Sequence, residues 1–381
     1  MNIKNFSTIT GLFLGVFVVG VDSFIISPLL PQIAQDFHAT ISQTALGVTT
    51  YALCEMIGAP LFGPLGDRFS KRKLLITGMS LFLGATLLCA IATNLATFYI
   101  YRAAAGLGAA LFLPNVWAFI GSYFNGQLMN KIMGISMAGL SLSVAVGVPL
   151  GSFLSQLSNW HSAFWASAVL TVFSLILIIA IIPNTTAQNQ KISYLVNFRN
   201  VFKAKNVIHT LLLDFFWMFG FYLVYTFLGS FLAEHFHFSS GKAGLVFLIY
   251  GTANFIAAST GGVIMNKLGR VKSILFNACA SLSFTLALGL FSNSILGLII
   301  FLILLAFSMG WGVTAISAYL VTLSTQNRST LMSFNSSALY LGLTLASIVG
   351  GLIYQGLGFW ILGIISSFSY AIVILLIKGL H

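Results

Sequence analysis

The chain has 381 residues, of which 58% are hydrophobic and only 6% charged, too few polar side chains to clothe a water-soluble globule of that size. Its 17 Lys and Arg against 6 Asp and Glu give a formal charge of +11, yet these cations are not gathered on a polar face as in a nucleic-acid binder. Cys54, Cys89 and Cys279 lie in apolar stretches without paired spacing, which argues against a disulfide framework or a zinc site and for small core residues.

Apolar stretches of roughly 20 residues, the length that crosses about 30 Å of hydrocarbon at 1.5 Å per residue, recur along the whole chain. Twelve can be counted, at 8–31, 42–66, 73–93, 96–117, 130–155, 162–182, 207–233, 240–265, 272–292, 296–320, 330–355 and 357–378. The first is too long for a secretory leader and lacks a small-residue cleavage site, so it reads as a retained helix. The pattern predicts an all-α integral membrane protein of twelve transmembrane helices.

Lys and Arg collect in cytoplasmic loops. With the N-terminus inside, 15 of the 17 fall on one side, and the exceptions are Arg102 within helix 4 and Lys242 in an outer connection. The high charge is therefore a topology signal, and it puts both termini in the cytoplasm.

In helix 1 the acid is Asp22, and Gly11, Gly15 and Val18 share its stripe and leave room beside it. Helix 2 carries Glu55 with Tyr51 one turn before it. The turn that follows reads Gly63, Pro64, Leu65, Gly66, Asp67, Arg68, Phe69, Ser70, Lys71, Arg72, Lys73. This resembles the signature loop of the major facilitator superfamily, with Ser70 where the family has its second Gly. Asp67 is placed to meet the positive N-terminus of helix 11, which starts near Thr330 on the same side. A merely topogenic loop would explain the cations and not the placed acid.

Helix 4 contains Tyr101, Arg102 and then Gly106-Leu107-Gly108, which resembles the family's Arg followed by Gly-x-Gly. Helix 5 carries Gly139, Gly147, Val148, Pro149, Leu150 and Gly151. These resemble the Gly-Pro motif of the antiporter branch, with Val148 where that branch prefers Gly, and small residues with a proline permit a bent, closely packed helix. Asp22 with Leu30 and Pro31 resembles the acidic motif of drug/proton antiporters. His161, in Trp160-His161-Ser162, stands where the family often has Arg and reads as an interface residue.

The polar stretch Pro183 to Asn206, with Lys191, Arg199, Lys203 and Lys205, reads as a cytoplasmic linker between two six-helix halves, 1–182 and 207–381. A shift of 199 residues supports the division. It aligns Ala34 with Ala233, Phe37 with Phe236, Leu46 with Leu245, Tyr51 with Tyr250, Gly63 with Gly262, Gly151 with Gly350 and Gln156 with Gln355. Two pseudo-symmetric halves are the ground plan of many secondary transporters, with the substrate site near the midplane between them.

In the second half, Asp214, Trp217, Phe221 and Tyr225 fall on one face of helix 7. Tyr250, Trp311 and Tyr340 are candidates to join them and Tyr51 around a cavity that stacks on flat or apolar solutes. Core or lipid-facing packing is the plainer reading of any one aromatic. Of the six acids, Asp36 and Glu234 occupy outer helix ends and read as solvated, and Asp67 belongs to the loop. Asp22, Glu55 and Asp214 remain within helices, where charge is costly and acids face a cavity or a partner; a structural ion pair or a hydrogen-bonded neutral acid is the alternative.

By rise per residue Asp22 lies about 21 Å from the inner end of helix 1 and Arg102 about 9 Å from the outer end of helix 4, which puts the two level. The resemblance places helices 1 and 4 beside the central cavity. Asp22 is then the expected principal proton carrier, Arg102 its tuning partner and Glu55 the runner-up. Asp214, about two turns from the inner end of helix 7, is expected to face the inner vestibule.

Together the residues and the resemblance imply a proton-coupled exporter of small amphipathic or apolar compounds in a bacterial inner membrane, acting as a monomer without a cofactor or metal. Its partners are the small-molecule substrate, protons and the lipid bilayer, and not nucleic acid. Proton-coupled or passive uptake of a small metabolite or sugar is the alternative. A membrane enzyme is a distant one: His209 and Asp214 have an acyltransferase-like spacing but lie on different helix faces, and no nucleotide loop, metal cluster or nucleophile elbow is seen. A nontransporting sensor, in which the acids would be dispensable, is a further one.

Overall fold

The computed structural model describes residues 3–65, 69–124, 126–183, 194–323 and 328–379. Among the described residues, twelve helices are long and apolar enough to cross a membrane. Span 1 is Ile3–Phe24 continued by Ile26–Asp36, span 2 Ile41–Phe62, span 3 Lys71–Cys89 and span 4 Leu95–Tyr123. Span 5 runs Gly126–Leu142, a π turn Ser143–Gly147, then Val148–Leu157, and span 6 is His161–Ile181. A linker helix, Tyr194–Lys203, precedes span 7 (Val207–Phe236), span 8 (Ser240–Leu268), span 9 (Arg270–Leu290), span 10 (Ile295–Leu323), span 11 (Arg328–Leu357) and span 12 (Phe359–Lys378).

Two prolines shape the spans that matter most. Pro28 has no N–H to give the Phe24 carbonyl, and span 1 breaks at Ile25 before running past Pro31 to Asp36. Pro149 likewise leaves the Ala145 carbonyl without its usual donor, and the bend expected in span 5 takes the form of the π turn.

The sequence repeat extends to the backbone at the face opposite the termini, called here the far face. His38 and His237, which are 199 residues apart, both adopt left-handed φ values, 49° and 54°, after spans 1 and 7. Just beyond them, Thr40 caps span 2 by accepting from the Gln43 N–H, and Ser239 caps span 8 by accepting from that of Lys242.

Spans 1 to 6 pack among themselves, as do spans 7 to 12, and among the described residues the two sets meet chiefly where span 1 packs on span 7, span 2 on span 11 and span 5 on span 8, with smaller contacts of span 1 with span 8 and span 4 with span 11. Small side chains and hydroxyls fill these seams. The Ser27 hydroxyl donates to the Tyr225 carbonyl (2.6 Å), Thr49 and Ser347 share a hydrogen bond (2.6 Å), and Ser337 donates to the Met56 carbonyl (2.8 Å). At the far face Gln32 donates to Ser240 (2.8 Å) and Ser239 to Gln156 (3.0 Å). At the termini face Gly63 lies against the Ser333 side chain of span 11.

Candidate functional site: a buried ion pair, a second acid and an aromatic cluster

Asp22, one turn before the break in span 1, meets Arg102 of span 4. Arg102 Nη1 donates to Asp22 Oδ2 at 2.5 Å, with the side chains 0% and 1% exposed. The guanidinium also reaches the Asp22 and Gly47 carbonyls, each at 3.4 Å, and lies 4.4 Å from the centroid of the Tyr51 ring. One arginine thus joins spans 1, 2 and 4 by charge, hydrogen bonds and a cation–π contact. The glycines after it let span 4 come this close: a Cβ on Gly106 would strike the Tyr51 carbonyl, and one on Gly108 the backbone of Phe82 in span 3. The Tyr51 hydroxyl in turn accepts from Ser23 at 3.1 Å.

Glu55 lies one turn along span 2 from Tyr51 and is 2% exposed. The phenols of Tyr51 and Tyr340 lie beside its carboxyl group, Oε2 has no hydrogen-bond partner, and no cation pairs with it among the described residues. The two central acids therefore differ in kind: one is neutralised by an arginine, the other is surrounded by phenols.

Phe221 and Tyr225 of span 7 pack with Tyr250 of span 8, at ring distances of 5.1 to 5.9 Å. Phe24 from span 1 joins them, 5.4 Å from Tyr225 and 6.3 Å from Tyr222. Phe24 and Tyr222 escaped the sequence reading, which followed single helix faces; Phe24 is two residues from Asp22 and Tyr222 next to Phe221. Four expected aromatic members lie elsewhere, two of them, Tyr51 and Tyr340, beside Glu55. Trp217 fills a slot opened by Gly312 and packs edge-on against Tyr370, while Trp311 donates its indole N–H to Thr260.

Two further expectations need correction. Asp214 is not exposed to a vestibule but 2% exposed, with Oδ2 unpartnered, because spans 10, 11 and 12 close around span 7. The glycine stripe of span 1 leaves no room beside Asp22: Leu177 packs against Gly11, and Phe112 and Met79 against Gly15. The solvated outer acids are also bonded, Asp36 by the Trp160 indole (2.9 Å) with His161 at 3.6 Å, and Glu234 by the Tyr354 hydroxyl (2.5 Å).

In the loop motif, Asp67 and Arg68 lie outside the described residues. Lys71 opens span 3, and Arg72 donates to the Ile179 carbonyl at 2.6 Å, which ties span 3 to the end of span 6 within the first set. In span 5, Gly147 packs against Val21 and Gly151 against Ile25, both of span 1. Pro149 and Ala145 face glycines of span 8, Gly244 and Gly251, so the helix 5 motif lies where the two sets cross.

Twelve spans in two packed sets, with buried charge at their centre, define a polytopic membrane transporter. The sequence profile of the Major Facilitator Superfamily matches residues 12–239 and 210–380, and the chain belongs to that family. It is 33% identical over 358 residues to the uncharacterised transporter YwfA of Bacillus subtilis, covering 92% of this chain and 86% of the relative. Partial matches include the 4-hydroxybenzoate transporter PcaK of Acinetobacter baylyi, 30% identical over 45% of this chain and 38% of the relative. Another is the multidrug transporter MdtP of B. subtilis, 28% identical over 45% of this chain and 31% of the relative. The fold is similar to the crystal structure of the human organic anion transporter MFSD10, with a TM-score of 0.78 at 16% identity, over 99% of this chain and 100% of the other.

Proposed function

We propose that the chain is a proton-coupled exporter of small amphipathic or apolar compounds, working as a monomer by alternating access in a bacterial inner membrane with both termini in the cytoplasm. Residues 1–182 and 207–381 are the rocking halves and 183–206 the linker. Export draws support from the helix 5 motif of Gly147, Pro149 and Gly151, and a drug-like substrate from the partial likeness to the multidrug transporter MdtP. The substrate class draws support from the cluster of Phe24, Phe221, Tyr222, Tyr225 and Tyr250, whose faces stack on flat solutes and whose hydroxyls orient them. A second reading, transport of a small aromatic acid, is favoured by the partial likeness to the 4-hydroxybenzoate transporter PcaK.

The observation that carries proton coupling is the unequal pairing of the two central acids. Arg102 already neutralises Asp22, so a proton arriving there must first displace a buried ion pair. Glu55 has no such partner, and in a water-poor site its charge is relieved by a proton or by an incoming solute. We therefore assign the coupling proton to Glu55 in preference to Asp22, the carrier expected from the sequence, with Asp22–Arg102 as the strut that joins spans 1, 2 and 4.

Proteoliposomes with an imposed pH gradient and a panel of compounds test both points. Glu55→Gln is expected to abolish uphill transport while substrate exchange persists, and Asp22→Asn to impair both. Uphill transport surviving Glu55→Gln and lost only in Asp22→Asn returns the proton to Asp22. Accumulation of aromatic acids in the direction of the gradient replaces export by uptake.

A further inference from the structure

The linker helix Tyr194–Lys203 ends three residues before span 7 begins. Asn206, at φ 67°, makes the turn between them. The helix is therefore held at the level where span 7 leaves the membrane. Its seated side is fixed to the second set of spans: Phe198 and Phe202 pack on Phe334 of span 11 at 4.8 and 4.7 Å, Val201 is buried, and Asn206 donates to the Tyr319 hydroxyl of span 10.

The opposite side faces out. At 100° per residue, Val196, Arg199, Asn200 and Lys203 share one sector, and all four are exposed, with Val196 at 53%. Phe202 flanks them, 42% exposed despite its contact with Phe334, and Lys205 is exposed just beyond the helix. None of the three cations forms an ion pair among the described residues.

The chain offers them almost no internal counter-charge, since no acid occurs between Asp67 and Asp214. Asp22, Glu55 and Asp214 are buried in the spans, and Asp36 and Glu234 are at the far face. Exposed apolar side chains beside unpaired cations, at the depth of the headgroups, match a surface that takes anionic lipid.

We propose that the linker helix binds anionic phospholipids of the adjacent leaflet, with Arg199, Lys203 and Lys205 on the headgroup phosphates and Val196 and Phe202 against the acyl boundary. Phe334 adjoins Ser333, the residue that packs on Gly63 where spans 2 and 11 meet, so lipid held by the helix acts on that inter-set contact. This inference rests on the membrane-spanning fold and not on which acid carries the proton.

The test uses the full chain in nanodiscs, with Cys54 and Cys279 replaced by Ser and an environment-sensitive fluorophore on Val196→Cys. Quenching by spin-labelled phosphatidylglycerol is measured against its mole fraction in phosphatidylcholine. Saturable quenching is expected, with the half-point moving up about fivefold for each of Arg199→Gln, Lys203→Gln and Lys205→Gln, and no saturation in the triple variant. Lys203→Arg should keep the parent curve, which separates loss of charge from loss of fold. Equal quenching by spin-labelled phosphatidylcholine, or an unchanged triple variant, overturns the proposal. So does displacement of the lipid by soluble glycerol phosphate at matched concentration, which would make the site one for a free anion.

Discussion

Replacing Arg102 with leucine leaves the Asp22 carboxylate in a site only 1% exposed, with no other cation beside it among the described residues. The same change removes the hydrogen bonds to the Asp22 and Gly47 carbonyls and the contact with the Tyr51 ring. Removing one partner of a buried pair costs about 3–5 kcal/mol, most of it the penalty of the charge left behind. At roughly 2 °C per kcal/mol, the lower end for large domains, the apparent melting temperature of the detergent-solubilised protein should fall by on the order of 5–10 °C. The double variant Arg102→Leu/Asp22→Asn removes both charges and should recover much of that loss, with a coupling of about 2 kcal/mol or more between the sites. Scans at one fixed rate make the comparison valid for a protein that unfolds irreversibly. A single variant within about 1 °C of the parent, or a double variant as unstable as the sum of the two singles, would refute the strut.

Gly106→Val should destabilise by about 1–3 kcal/mol or abolish folded expression, because its side chain would displace the Tyr51 carbonyl, and size-exclusion profiles of the variant report this directly. Asp214→Leu should raise the melting temperature by relieving an acid with an unpartnered oxygen; a drop would reveal partners that hold it. Asp67→Asn should slow transport with little change in substrate affinity, because the helix-terminus contact that the sequence leads one to expect, worth about 0.3–2 kcal/mol, would bias one state over the other, and a variant with parent turnover removes the loop from the cycle. Single cysteines at positions 196 and 242 should label from opposite sides of the membrane, the first from the cytoplasm; the reverse result inverts the topology.

Features that depend on length and periodicity were legible in the sequence. Counting rise per residue was enough to bring Asp22 level with Arg102, because both helices cross the same thickness of hydrocarbon. The repeat of 199 residues was legible too, and it persists in the left-handed turns at His38 and His237. What one helix cannot reveal is which neighbour fills the space on its face. Trp217 and Tyr225 share a face of span 7, but the missing side chain at Gly312 draws the tryptophan into span 10. Gly11 and Gly15 look like room beside Asp22 and are instead seats for Leu177, Phe112 and Met79. Depth alone likewise placed Asp214 near an opening, whereas the packing of three other spans decides its exposure.

Among the described residues the hydrogen bonds across the far-face seam between the two sets join amide and hydroxyl groups, Gln32 with Ser240 and Gln156 with Ser239, and the middle of the seam adds Thr49 with Ser347. None of these groups carries charge, so breaking them moves none through the transmembrane potential, whose work is about 2.3 kcal/mol per elementary charge per 100 mV. Breaking these particular hydrogen bonds is therefore electrically silent. Voltage dependence is expected instead from the buried charged groups, Asp22, Arg102, Glu55 and Asp214, and from the charge of the solute itself. Currents recorded during transport would thus report the loading of the centre and not the breaking of these uncharged bonds.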